Sequence, residues 1–307
     1  MSERMSKRSL HLRLPATSAN LGPAFDTAAI ALNLHLDITA TQADSFSIDA
    51  TGRNAEACSQ IENNLLLQIY SQTLQENGRK VLPLHLKVHN EIPFGMGCGS
   101  SAAARLAGIA LAVHFGELGW SRDQILNTAC VLEGHPDNAA ACWLGGMTVA
   151  AMVGEGASMQ VHAVQFPIPS AWSVVIVLPS KPLATSVSRR VLPEMYSRQD
   201  ARANVQCASL LVAAFAQERG DLLQVAMQDR LHQPYRAEMC PLLSILTPLA
   251  GSHGVLGVAL SGAGPAVLMV VESVADRAQL QAVIRERVAD ADTVEIMECE
   301  FEKCAAV

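Results

Sequence analysis

Of 307 residues, half are hydrophobic and 17% are charged, enough apolar material for a well-buried core and too little charge for extended disorder. The formal charge of −7 comes without a basic block. That excludes a nucleic-acid backbone as partner, and any bound anion must be held locally, by backbone N–H groups, a few arginines or a metal ion.

Cys58, Cys98, Cys130, Cys142, Cys207, Cys240, Cys299 and Cys304 show neither a C-x-x-C pair nor zinc-site spacing, the pattern of reduced thiols in a cytosolic protein. The N-terminal MSERMSKRSL lacks the apolar stretch of a secretory signal. The longest apolar stretch, VLGVALSGAGPAVLMVV, is broken by glycines and a proline, which predicts strand, turn and strand and no membrane span. The expected location is the cytoplasm.

In chain order, LHLRLPATSANLGPAFD opens with alternating Leu10, Leu12 and Leu14, a half-buried strand that should break at Pro15 into a small-residue loop. Alternation returns from Ala28 to Thr41, with Leu32, Leu34, Leu36 and Ile38 on one face. ENNLLLQIYSQTLQENG has helical spacing and Gly78 as a stop. LPLHLKVHNEIP alternates Leu84, Leu86 and Val88 and leads into GMGCGSSAA. The alanine-rich SSAAARLAGIALAVHFG predicts a helix starting at the serines, and SRDQILNTACVLEG a second helix with Ser121 and Gln124 as a capping box.

Beyond FPIPSAW lie a buried strand from Ser173 to Leu178 and several helices from about Thr185 to Ala250. Strand, glycine turn and strand then run from Val255 to Val271, followed by a helix and a last strand in TVEIMECE. A boundary at Pro167 to Ser170 divides the chain into domains at 1–168 and 169–307. The fold class expected is α+β, two α/β halves with antiparallel strands.

The run Gly95, Gly97, Gly99, Ser100, Ser101 presents backbone N–H groups and few side chains, which suits an anion. A Walker A loop needs a lysine beside the serines, and none is there. A Rossmann turn needs a second strand ending in an acid, where this sequence has a second helix. What remains is a glycine loop at a helix N-terminus, with free N–H groups and the positive end of the dipole facing phosphate, or else a plain strand-to-helix turn capped by serine.

PATSANLGPAFD, the glycine loop and LSGAGPAVLMV, in that order, resemble the three signature motifs of the GHMP kinases, over essentially the whole chain. Within that superfamily, PATSANLGPAFD, EGHPDNAAACWLGG, TSVSRRVLP, LHQPYR and LSGAGPAV are similar to the homoserine kinases. The sequence departs at Ala24, where the family usually has glycine, and at Met96 and Cys98; Ala24 would add a methyl group beside the substrate pocket. The resemblance implies an N-terminal domain with a left-handed βαβ unit, a ferredoxin-like C-terminal domain, an active site between them, and a homodimer as one option.

It further implies ATP and Mg²⁺ as cofactors and L-homoserine as substrate, phosphorylated on its side-chain hydroxyl. Asn20 and Asp26 would hold the amine, and Arg189 and Arg236 the carboxylate, with Thr185 and Gly262 beside them. Pro93, Gly95, Gly97, Cys98, Gly99, Ser100 and Ser101 would cradle the triphosphate, with Asn64 either at the adenine end or a plain N-cap of the helix NLLLQIY. Ser101 and Glu133 would face the metal. Asn138 would orient the attacking hydroxyl, with Asp137 the alternative as base and His135 structural. The rivals are a GHMP kinase for another small alcohol, of mevalonate or sugar type, and a non-catalytic nucleotide- or metabolite-binding member.

Overall fold

The computed structural model describes residues 8–289, 291 and 293–306. The first residues of MSERMSKRSL, on which the lack of a leader was read, lie outside them.

The first half is built on β1 (Ser9–Asn20), β2 (Ala24–Gln42), β3 (Ser47–Gly52), α1 (Ala55–Ser59), α2 (Leu65–Glu76), β4 (Leu84–Asn90), α3 (Ser100–Gly116), α4 (Arg122–Glu133), α5 (Asp137–Leu144), β5 (Met147–Val153) and β6 (Gln160–Phe166). Its sheet runs β3-β4-β2-β5-β6, with β1 also on β2. All pairings are antiparallel except β3 with β4, which run parallel and are joined through α1 and α2.

Pro15 does not end β1. The strand continues through Ala16–Asn20, its register on β2 shifting between Pro15 and Ala16. A bulge is where a strand tolerates a residue without an N–H. The small residues Ala16 to Ala19 are fully buried; they allow close packing that larger side chains would block. β3, β5 and β6 were not expected from the sequence; β3 and β6 show no solid buried face.

Local signals placed α2, α3 and α4, while α1 and α5 were not expected from the sequence. Asn64 caps α2 by accepting from Leu67 N. Ser121 and Gln124 form the capping box of α4, which ends at Gly134 in the left-handed region. α3 is buried on most of its surface, and at Gly108 a Cβ would lie 2.6 Å from Leu66 O, so only glycine lets α2 approach so closely.

The second half contains β7 (Trp172–Leu178), α6 (Thr185–Arg190), α7 (Arg198–Ala216), α8 (Leu223–Ala226), α9 (Gln233–Arg236), α10 (Pro241–Leu246), β8 (Val255–Leu260), β9 (Val267–Glu272), α11 (Arg277–Val288) and β10 (Glu295–Cys299). The antiparallel order β10-β7-β9-β8 is that of a ferredoxin-like βαββαβ sheet. β7 is buried throughout because it serves two cores. Val174 and Ile176 pack with Leu211 and Phe215 of α7, while Val175 and Val177 pack with Leu242 of α10 and Leu280 and Ile284 of α11.

The chain end returns to the first sheet. Phe301 bridges Leu32, Glu302 N donates to Ala31 O at 3.0 Å, and Gly146 N donates to Glu302 O at 2.7 Å. Burying Phe301, 6% exposed, contributes about 2–3 kcal/mol to holding the halves together.

Candidate active site

Three small-residue stretches, remote in sequence, meet where β1, the glycine loop and the β8–β9 turn converge. Thr17 N donates to Cys98 O at 3.1 Å and Gly262 N to Ala19 O at 3.1 Å. Ser261 Oγ lies 2.9 Å from Ser18 Oγ and 2.8 Å from Gly97 O. Gly97 has φ +75°, and a Cβ there would stand 2.0 Å from Ser261 O; at Gly99, φ +73°, it would stand 1.9 Å from Thr17 Oγ1. The glycines are therefore required by the chain itself, and the loop's shape is set before any ligand arrives.

Two cavities meet at Ser100 and Ser101, which line both. One, of about 400 Å³, is walled by Leu36, Ile48, Leu65, Leu86, Val88 and Phe94, with Asn64 at its edge, a slot suited to a flat apolar ring. The other, of about 330 Å³, is polar. It brings together Asn20, Asp26, Gly95, Gly97, Cys98, Gly99, Ser100, Ser101, Glu133, Asp137, Asn138, Thr185, Arg189, Arg236 and Gly262. Pro93 lines neither; it borders a separate cleft with Arg53 and Glu295. Ala24 is buried and lines neither cavity, so its methyl group is part of the core.

The charged groups of the polar cavity are arranged by specific contacts. Arg189 Nη1 and Nη2 donate to the Asp26 carboxylate at 3.0 and 2.6 Å, a bidentate fork. Burial lowers the Arg189 pKa, but the hydrogen bond and charge of Asp26 outweigh it and raise it. Asn20 braces Asp26: its Oδ1 accepts from Asp26 N at 3.0 Å, and its Nδ2 donates to Gly262 O at 2.8 Å. Asp26, with φ +52°, is held in the left-handed region by this clasp.

Arg236 is 1% exposed, and among the described residues no carboxylate lies within ion-pair distance of it. Its Nε donates to Ser188 O at 3.2 Å, and its Nη1 faces His232 Nδ1 at 2.9 Å. Burial and the neighbouring Arg189 pull its pKa below the ordinary guanidinium value, although arginine remains charged. Burial likewise lowers the pKa of His232. As a neutral ring it donates from Nε2 to Gly22 O at 2.7 Å and accepts from Arg236 at Nδ1. Phe25 stacks on His232 at 5.2 Å between the two arginines.

In the same cavity, Asn138 is held by Thr17, whose Oγ1 donates to Asn138 Oδ1 at 2.7 Å and fixes the amide. Asp137 Oδ1 accepts from Asn138 N at 2.7 Å and Asn138 Nδ2 at 3.2 Å and lies 2.6 Å from His135 Nδ1. Burial lowers the His135 pKa, yet the hydrogen bond and charge of Asp137 raise it overall. Asp26, His135 and Asp137 lie close enough to share an ion, but Arg189 and His135 already engage the two carboxylates.

Glu133 and Ser101 are joined by Arg105, whose Nη1 donates to Ser101 Oγ and, at 2.6 Å, to Glu133 Oε1. One cationic centre thus reaches both oxygens, and a hydroxyl and a carboxylate are hard oxygen donors of the kind Mg²⁺ takes. The Cys98 thiol is turned inward, and burial pushes its pKa up to about 12, so only its backbone can serve a ligand. Sequence reading missed Thr17, Phe25, Arg105 and His232. Thr17 and Phe25 lie within PATSANLGPAFD and His232 within LHQPYR, and Arg105 follows Ser101 by one helical turn; those were the local signals.

The models of the GHMP kinases N terminal domain and GHMP kinases C terminal match residues 64–146 and 211–290. A curated homoserine kinase of Solibacter usitatus is 43% identical over 263 residues, 85% of each chain. This chain belongs to the homoserine kinase family. A second homoserine kinase, from Synechocystis sp., is 38% identical over 270 residues, 87% of each chain. A putative homoserine kinase structure from Listeria monocytogenes aligns over 98% of each chain at 27% identity and TM-score 0.76. L. major mevalonate kinase in complex with R-mevalonate shares the fold, with TM-score 0.70 at 13% identity over 99% of this chain and 100% of that one. Membership in the homoserine kinase family makes the chain an ATP-dependent phosphotransferase. Among the described residues no helix is long and apolar enough to cross a membrane.

Proposed function

We propose that the protein transfers the γ-phosphoryl group of ATP to the side-chain hydroxyl of L-homoserine, giving O-phospho-L-homoserine and ADP on the route to threonine. The observation that carries this is Arg236, a buried cation on the wall of a polar cavity with no carboxylate at ion-pair distance among the described residues. A buried charge without a counterion calls for one, and the carboxylate of an amino acid fits. Asp26 offers the anion for the ammonium group, and Arg189 shares itself between Asp26 and the incoming carboxylate. Thr185 and Gly262 border the same space. Relatives named homoserine kinase favour this substrate over a mevalonate- or sugar-type alcohol.

The adenine ring enters the apolar slot near Asn64, and the triphosphate crosses Ser100 and Ser101 at the N-terminus of α3, where free N–H groups await anions. Ser101 and Glu133 supply oxygens for Mg²⁺, whose charge, when bound, offsets that of the phosphate oxygens. Asn138, held by Thr17, orients the hydroxyl. Its oxygen bonds to the γ-phosphorus, the bond to the ADP oxygen breaks, and the proton passes to a phosphate oxygen. Asp137, whose Oδ1 is taken up by His135 and by the N–H groups of Asn138, fixes Asn138 in place. We also read the enzyme as cytoplasmic, with a homodimer to be checked by sedimentation.

ADP release with ATP and Mg²⁺ is the test, comparing L-homoserine with L-threonine, L-serine and mevalonate. Turnover on L-homoserine alone supports the assignment. Turnover on mevalonate without homoserine would overturn the pocket, and ATP binding without turnover on any alcohol would overturn the enzyme.

A further inference from the structure

We propose that Arg105 is a nucleotide-binding residue, releasing Ser101 and Glu133 to grip the triphosphate when ATP binds. The inference rests on the proposed phosphotransfer reading and adds a ligand contact to it. Arg105 lines the polar cavity beside Ser100 and Ser101, the residues shared with the apolar slot, so the triphosphate must pass it. The other arginines of that cavity are engaged elsewhere: Arg189 is forked to Asp26, and Arg236 is buried between Ser188 and His232. Arg105 is the cation available on the phosphate side.

Its position is electrostatically unusual. It stands one turn into α3, and Nη1 reaches back to Ser101 in the first turn, where the helix dipole is positive and disfavours a cation. What offsets this is Glu133, with side chains 22% and 10% exposed for Arg105 and Glu133. A phosphate at the same helix end answers both the dipole and the guanidinium, whose fork geometry matches phosphate oxygens. It also frees Glu133 and Ser101 as oxygen donors. The contacts to Ser101 and Glu133 use the same nitrogen, Nη1, so the guanidinium has further N–H groups for a second anion.

The test is titration calorimetry with the non-hydrolysable ATP analogue AMP-PNP, with and without Mg²⁺ and with no acceptor present. Arg105→Ala should weaken metal-free binding about tenfold, equivalent to about 1.4 kcal/mol, and Arg105→Lys should recover part of the loss. Glu133→Gln should tighten metal-free binding, since it removes a repelling carboxylate and frees the arginine, while weakening the response to Mg²⁺. In the Glu133→Gln background, Arg105→Ala should still cost about tenfold, by the same conversion; no loss there would mean that Arg105 merely neutralises Glu133, and the inference falls. If Arg105→Ala does not fold, Arg105→Lys and Glu133→Gln carry the test, and metal-free binding unchanged in Glu133→Gln overturns it. Because no acceptor is used, failure of homoserine turnover in the wild type would sink the substrate assignment and leave this result readable.

Discussion

Replacing Arg236 with methionine separates a stability role from a binding role. The guanidinium is buried, and among the described residues its hydrogen-bond partners are Ser188 O and His232 Nδ1. Removing it relieves the desolvation of an unpaired charge but leaves two acceptors without a donor, at about 1–3 kcal/mol each. These effects oppose one another, so Tm should move by no more than about 3 °C, under 2 kcal/mol for a chain of this length. With substrate bound the balance changes, because a carboxylate then loses its buried partner. Breaking such a pair costs about 3–5 kcal/mol. Arg189, 36% exposed, can take part of the load, which lowers the expected loss to about 2–3 kcal/mol, or about 30- to 150-fold. In a coupled ADP-release assay the homoserine KM should rise by that factor with the ATP KM nearly unchanged. A variant that loses several kcal/mol of stability yet keeps its homoserine KM would refute the reasoning.

Asp26→Ala removes the amine anchor and unlocks Arg189, so homoserine kcat/KM should fall at least about 100-fold, some 2.7 kcal/mol, while stability drops by only about 1 kcal/mol because the pair is partly exposed; unchanged homoserine kinetics would reject the anchor. Gly97→Ala forces a Cβ against Ser261 O at positive φ and should cost about 3 kcal/mol or more, read as a lower denaturant midpoint together with weakened nucleotide binding. For Glu302, burial raises the pKa, but hydrogen bonds from Cys304 N and His35 pull it below the ordinary carboxylate value overall. Its folded pKa being the lower one, its contribution is complete above the unfolded pKa and is lost as pH falls. The denaturant midpoints of wild type and Glu302→Gln should differ at pH 7 and converge below about pH 4; a gap that persists in acid contradicts this.

What the sequence determined alone was whatever a few consecutive residues decide. The capping box of α4, the Asn64 cap, the start of α3 after Gly99 and the two-sided apolar run of β7 are local matters of hydrogen bonding and side-chain period. The glycine loop was legible for the same reason, since positive φ at alternate positions admits little besides glycine. Only the tertiary structure decided the rest. That β1 passes Pro15 depends on a register with β2. That Asn20 clasps Asp26 through Gly262, that Thr17 holds Asn138, and that Arg105 joins Ser101 to Glu133 depend on residues up to 242 positions apart. Such pairs leave no periodicity in a single chain, because the physical cause is a meeting of surfaces and not a propensity of either segment.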